Sequence, residues 1–202
     1  MRRTKAEAEE TRLKLLEVAE RLFFEKGVAS VTLERIASTA GVTRGAVYWH
    51  FANKADLLRA LHELIPLPAE DLLARAVADR HEDPLTLLSN VIDECLTIIA
   101  GDSRRQRIYS ILFRCDYRGE FLSVLERERE MNRSQYNRLV ELFELAREKG
   151  ELNPIWTPQS ASRACHWAIS GLLFEWLKDT SEFDLVADSA DMRAALIQGF
   201  RN

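Results

Sequence analysis

Residues 32–54, TLERIASTAGVTRGAVYWHFANK, restrict the possible fold more than any other stretch of the chain. Leu33, Ile36, Ala37 and Ala40 recur at i, i+3, i+4 and i+7, one face of a helix over 33–39. Gly41 breaks that pattern, and a second short helix follows from 43 to about 49. Thr32 can cap the first helix and Thr43 the second. Helices of about seven residues do not hold themselves in water, so this pair has to be built onto a longer partner. The segment before it supplies one. Leu15, Ala19, Leu22 and Phe23 lie on a single helical stripe, and Gly27 after Lys26 is a stop signal. Three helices packed as one unit are therefore expected at the N-terminus.

The small residues have steric reasons. Ala37 stands where two helices must cross closely, and Gly41 takes a turn conformation that a Cβ resists. Val42 and Val47 lock the second short helix across the first. This spacing is that of a helix-turn-helix, in which the second short helix enters the major groove of DNA. Its first turn, Thr43, Arg44 and Gly45, is slim, and Arg44 can donate a bidentate pair to a guanine edge. Trp49, His50 and Phe51 are consecutive, so they fan over about 200° and cannot all face one core. The hydroxyl, indole N–H and imidazole of Tyr48, Trp49 and His50 suit phosphate contact. Asn53 starts a fourth helix, 54–64, where Lys54 adds a cation beside unpaired helix-start amides. Phe51 reads as a core anchor.

Charge agrees with this placement. Residues 1–60 hold 11 Lys and Arg against 8 Asp and Glu, a net +3, while the remainder carries −7 within the chain's total of −4. A basic head on an acidic body suits a first segment that meets phosphate. Arg2, Arg3 and Lys5 form either a DNA-seeking arm or a solvated tail.

Beyond Pro66 and Pro68 the pattern stays helical, over 84–100, 104–115, 120–149, 158–178 and 188–200. Few glycines and prolines and no alternating strand pattern occur, so an all-α protein is expected. The domains divide as 1–53, a helix-turn-helix unit, and 54–202, a larger helical domain for ligand binding and dimerisation. Trp167, Leu172, Leu173, Phe174, Trp176 and Leu177 exceed what one helix needs for its own core, so helices 158–178 and 188–200 are the expected homodimer surface. Helix 120–149, with RERE at 127–130, reads as a salt-bridged surface.

No uninterrupted run of 18 apolar residues appears, and residues 1–25 are charged throughout, so no membrane association and a cytoplasmic location are expected. Cys95, Cys115 and Cys165 lie within helical patterns and lack zinc-ligand spacing; they read as buried free thiols. His62, His81 and His166 are dispersed. No metal, cofactor or catalytic group is expected, and no nucleophile elbow or phosphate loop supports an enzyme. An architectural helix-turn-helix protein without an effector is the other alternative.

Residues 10–60, above all TLERIASTAGVTRGAVYWHFANKADLL, resemble the DNA-binding domain of TetR-like transcriptional regulators. Together with the opening RRTKAEAEETR they are most similar to repressors of multidrug efflux pumps. The resemblance implies a homodimer on a palindromic double-stranded operator, released by a small hydrophobic effector. Carried over by position, base contact falls to Thr43, Arg44 and Gly45, and phosphate contact to Tyr48, Trp49, His50 and Lys54. Thr32 joins this DNA-facing set. Helical facing and the resemblance together suggest effector contacts at Val91, Ile92, Cys95, Tyr109, Phe113, Val140, His166, Trp167 and Ile169. A solid core would use most of the same residues, and His166 suits either picture.

Overall fold

A computed structural model describes residues 5–66 and 69–202, the side chains at 70, 120, 123, 127, 128 and 131 excepted. Arg2, Arg3 and Pro68 lie outside these residues, as do the side chains of Arg127 and Glu128. In chain order the first helices are α1 (Lys5–Lys26), α2 (Leu33–Thr39), α3 (Arg44–His50), α4 (Lys54–His62) and α5 (Ala69–Ala78). Then come α6 (Pro84–Gly101), α7 (Ser103–Phe113), a 3-10 turn (Gly119–Phe121), α8 (Leu122–Glu148), α9 (Pro158–Trp176) and α10 (Ala190–Phe200). The described residues contain no strand, only an isolated antiparallel bridge between Leu152 and Arg201. The chain is all-α, as its periodicity predicts.

The chain divides into two compact units: residues 1–66 with 104–129, and residues 67–103 with 130–202. In the first, α1 buries Leu15, Leu16, Ala19, Leu22 and Phe23 against Ile36 and Ala37 of α2, Val47 of α3 and Leu57, Leu58 and Leu61 of α4. Gly27 ends α1 at φ +77°. Fully burying side chains of this size stabilises by roughly 1.5–3 kcal/mol each, which α2 and α3 cannot obtain alone.

One charge sits in this apolar setting. Glu20 of α1 is buried, and its carboxylate accepts from Arg104 Nε at 2.9 Å and from Arg107 Nε at 2.8 Å, both on α7. The two guanidinium groups satisfy an acceptor that would otherwise be costly to bury. This clamp fixes α7 to α1.

In the second unit, Leu85, Leu88 and Leu96 of α6 are buried with Leu142, Phe143 and Ala146 of α8 and Phe200 of α10. α6 is the one described helix long and apolar enough, by length and composition, to cross a membrane. Asp93 interrupts it and holds the buried Arg193 of α10 at 2.7 Å. The C-terminus is tied down by backbone bonds from Asn153 N–H to Phe200 O and from Asn202 N–H to Glu151 O, both 2.8 Å.

Several boundaries differ from expectation. α5 carries an amphipathic pattern too short to stand out after two prolines. The helix expected over 104–115 ends at Phe113, so Cys115 lies beyond it, its N–H bonded to Leu112 O at 3.2 Å. Trp176 and Leu177 are buried within the protomer, with Trp176 Nε1 donating to Phe183 O at 3.1 Å.

Two predictions follow from these charges. Glu20→Gln removes the acceptor charge from two partly solvated arginines, and is expected to lower unfolding free energy by about 1–3 kcal/mol in urea titrations. An unchanged midpoint would show that the clamp contributes nothing. Asp83, the N-cap of α6, is opposed by burial. The Thr86 amide at 2.8 Å and hydroxyl at 2.7 Å and Arg201 at 3.0 Å outweigh that, holding its carboxyl down at about 2. Because this lies below the ordinary carboxyl value, the stabilisation is full above pH ~4 and fades as pH falls toward ~2. Asp83→Asn keeps a cap acceptor without the charge, so its stability should vary less over that interval; a wild-type acid slope would contradict the assignment.

Candidate nucleic-acid interface

The turn between α2 and α3 is set by its own residues. Thr32 Oγ1 accepts from Arg35 N–H at 3.1 Å and Thr43 Oγ1 from Ala46 N–H at 3.2 Å, so each short helix is capped as its sequence predicts. Gly41 sits at φ +67°, with Val42 N–H bonded back to Ala37 O at 3.0 Å. A Cβ at Gly41 would meet nothing within 4 Å, so the glycine is needed for its backbone conformation and not for space.

α3 has one anchored and one outward side. Val47 is buried, and Phe51, just past the helix, is buried as the expected core anchor. Around them Trp49 is 72% exposed, Tyr48 43% and the Arg44 side chain 73%. His50 is half-buried and packs edge-on against Trp49 at 4.5 Å between ring centres. Gly45 is also exposed. A Cβ there would approach only Thr43 Oγ1, at 4.0 Å, so nothing in the fold requires a glycine. Glycine inside a helix costs up to about 1 kcal/mol relative to alanine, and this bare patch leaves room for a close approach from outside.

A carboxylate that no local sequence signal marks stands beside these residues. Glu34, in the first turn of α2, accepts from Tyr48 OH at 2.8 Å and pairs with Arg44 Nη2 at 3.2 Å, both on the same oxygen, Oε1. The Arg44 guanidinium also lies over the Tyr48 ring, 5.5 Å from its centre. A backbone hydrogen bond at Glu34, then the Tyr48 hydroxyl and the Arg44 charge, hold this carboxyl below its ordinary range. No local sequence pattern links positions 34, 44 and 48. Only the fold of the turn does.

Lys54 is placed differently from a simple outward cation. Its ammonium donates to Val28 O at 3.2 Å and stands 5.4 Å over the Phe121 ring, which ties the start of α4 to the α1–α2 loop. The Asn53 side chain caps α4 by accepting from Asp56 N–H at 2.8 Å, and Asp56 in turn pairs with Arg59.

The residues suggested for an effector are spread over the two units. Tyr109 and Phe113 are in the first. In the second, Val91 and Ile92 are buried on α6, Cys95 and Val140 are half-buried, and His166 and Ile169 lie half-buried on α9. Burial holds the His166 imidazole below its ordinary value, so it is neutral at neutral pH. Burial also pushes the neighbouring Cys165 thiol up to about 12, which keeps it protonated and unreactive. Trp167 points outward instead, 67% exposed on the face of α9 that also carries Gly171 and Phe174. The described residues hold no cluster of three or more His, Cys, Asp or Glu fit for a metal ion.

Comparison with known proteins matches this architecture along its length. The model of bacterial regulatory proteins of the tetR family covers residues 15–61, and that of the C-terminal region of MAATS-type transcriptional repressors covers 83–201. The HTH-type transcriptional repressor BepR of Brucella suis biovar 1 is 37% identical over 100% of this chain and 97% of its own. The HTH-type transcriptional regulator AcrR of Shigella flexneri is 35% identical over 98% and 92%. Among solved structures, NalD, the secondary repressor of the MexAB-OprM multidrug efflux pump in Pseudomonas aeruginosa, superposes with a TM-score of 0.85. It is 37% identical and covers 98% of this chain and 99% of its own. SmeT, repressor of the Stenotrophomonas maltophilia multidrug efflux pump SmeDEF, gives 0.83 in its complex with triclosan, at 30% identity over 96% and 92%. With both its capped short-helix motif and its C-terminal helices matched, the chain belongs to the tetR family of bacterial regulatory proteins and is a transcriptional repressor rather than an enzyme.

Proposed function

We propose that this repressor is a cytoplasmic homodimer that silences a multidrug efflux operon. Two copies read the half-sites of a palindromic operator and release it when a small hydrophobic molecule enters the C-terminal half. One observation carries the DNA-reading part: α3 is pinned by Val47 while Arg44, Tyr48 and Trp49 project from it. A probe this slim fits a major groove about 12 Å wide. In this reading Thr43, Arg44 and Gly45 face base edges and Trp49 and His50 meet phosphates, whereas the Tyr48 hydroxyl, whose one proton goes to Glu34, braces that carboxylate instead of meeting a phosphate. Thr32 keeps α2 in register beneath them. Lys54 adds positive charge where α4 begins and holds the neighbouring loop.

Two of the relatives named above repress multidrug efflux pumps, and one is recorded with a hydrophobic ligand; these support the efflux and effector parts. Val91, Ile92, Cys95, Val140, His166 and Ile169 would supply an apolar wall with a neutral imidazole among it. Effector binding has to favour a state whose recognition helices are wrongly spaced for the operator. α4 leads out of the motif, and α7 follows α6 after a single residue and is clamped to α1 through Glu20. These are the segments through which such a change would reach α3.

Dimerisation would use the outward face of α9, with α10 beside it in sequence order. Trp167, Gly171 and Phe174 recur at i, i+4 and i+7, and the small residues Ser170 and Gly171 permit close approach of a twin helix. Phe174→Asp places a charge in that seam, and sedimentation at micromolar concentration is expected to turn from dimer to monomer. A variant that stays dimeric would move the interface elsewhere.

The DNA-reading part is tested by selecting duplexes from a random library with the wild-type protein, then measuring binding by fluorescence anisotropy. Arg44→Ala should reduce discrimination between selected and random duplexes by ~1–3 kcal/mol per half-site. Wild-type discrimination in the variant would remove Arg44 from base readout. Added triclosan or other hydrophobic drugs should release wild-type protein from the selected duplex; retention across the whole panel would contradict effector control.

A further inference from the structure

A carboxylate at a DNA-facing surface works against binding, since each phosphate it faces repels it. Glu34 nevertheless stands there, half-buried, in contact with two of the side chains that project from α3. It does not support the core, and its neighbours Leu33, Ile36 and Ala37 do the packing of α2. What it does is hold Arg44. The guanidinium is bracketed by the Glu34 carboxylate at 3.2 Å and the Tyr48 ring at 5.5 Å, while Tyr48 is itself fixed by its hydroxyl on the same carboxylate oxygen.

A guanidinium has five N–H donors in a rigid fork, and the pair with Glu34 is made through Nη2. The rest of the fork remains directed from a fixed position. Its net charge is now offset by the carboxylate beside it. Phosphate attracts through charge, whereas the O6 and N7 of guanine accept hydrogen bonds and demand geometry. Pairing with Glu34 therefore weakens the first kind of contact and favours the second.

We propose that Glu34 is a specificity-determining positioning residue: it withholds Arg44 from indiscriminate phosphate contact and presents its fork to a base edge. The proposal rests on α3 being the DNA-reading helix. It predicts that Glu34 lowers affinity for random DNA while raising the ratio by which a selected site is preferred.

The test uses the full-length protein and two duplexes, one selected from a random library by the wild type and one of scrambled sequence, over a series of salt concentrations. Glu34→Gln is expected to bind the scrambled duplex several-fold more tightly and to lose at least threefold in discrimination. Its salt slope on scrambled DNA should steepen by about 1 for each Arg44 freed to meet a phosphate, a change that mere loosening of α2 would not produce. Glu34→Asp keeps the charge but is one methylene short of Arg44 and Tyr48, so it should lose discrimination without the full gain in non-specific affinity. In an Arg44→Ala background, Glu34→Gln should leave discrimination where that background sets it. Undiminished discrimination in Glu34→Gln, wild-type behaviour of Glu34→Asp, or an equal loss in the Arg44→Ala background would each overturn the proposal. A wild-type protein that distinguishes no duplex would instead overturn the reading of α3 itself.

Discussion

Two helices of seven residues carry the surface proposed to read DNA, and neither is long enough to exist without the apolar face of α1. Leu15, Leu16, Ala19, Leu22 and Phe23 form the floor on which Ile36, Ala37 and Val47 are held. Burial of that floor fixes the angle at which α3 leaves the body. It is also why α3 can afford an exposed tryptophan, an exposed arginine and a glycine in so short a span. The threonine caps at 32 and 43 and the left-handed Gly41 refine the motif. They would not create it without α1.

Electrostatics then work on two scales. Over the whole chain the balance is acidic, and a protein of net charge −4 is not drawn to DNA by bulk attraction. The net positive charge lies in the first sixty residues, and cations both there and on α7 are held by partners. Glu20 draws Arg104 and Arg107 into a structural clamp; Lys54 is engaged with the α1–α2 loop; Arg44 is paired with Glu34. In the proposed reading, recognition rests on geometry at a few side chains more than on charge density, which suits a protein that must find one site among many.

The local features of the motif were legible in the sequence because they are local. The caps at Thr32, Thr43 and Asn53, the limits of α2 and the stop at Gly27 all follow from residues within one turn of the feature. Phe51 reads as a core anchor just past the helix, and the fan of Trp49, His50 and Phe51 requires at least one outward ring. What the sequence could not reveal were contacts between distant positions. Glu34 meets Tyr48 across fourteen residues, and Glu20 meets Arg104 and Arg107 across more than eighty. Helical periodicity identified 158–178 as apolar on several sides but could not divide that surface. Trp176 and Leu177 pack inside the protomer, whereas Trp167 and Phe174 face out. α5 escaped notice because ten amphipathic residues after Pro66 and Pro68 look like the end of a loop.

The central claim is that α3 meets the duplex with its outward face. Hydroxyl-radical footprinting of Trp49 tests it most directly, since that ring is among the most exposed large side chains of the protein. Saturating the protein with a duplex it has selected should slow oxidation of Trp49 strongly while leaving the buried Trp176 unchanged. Trp49 oxidised at an unaltered rate in a demonstrably DNA-bound protein would place the interface elsewhere.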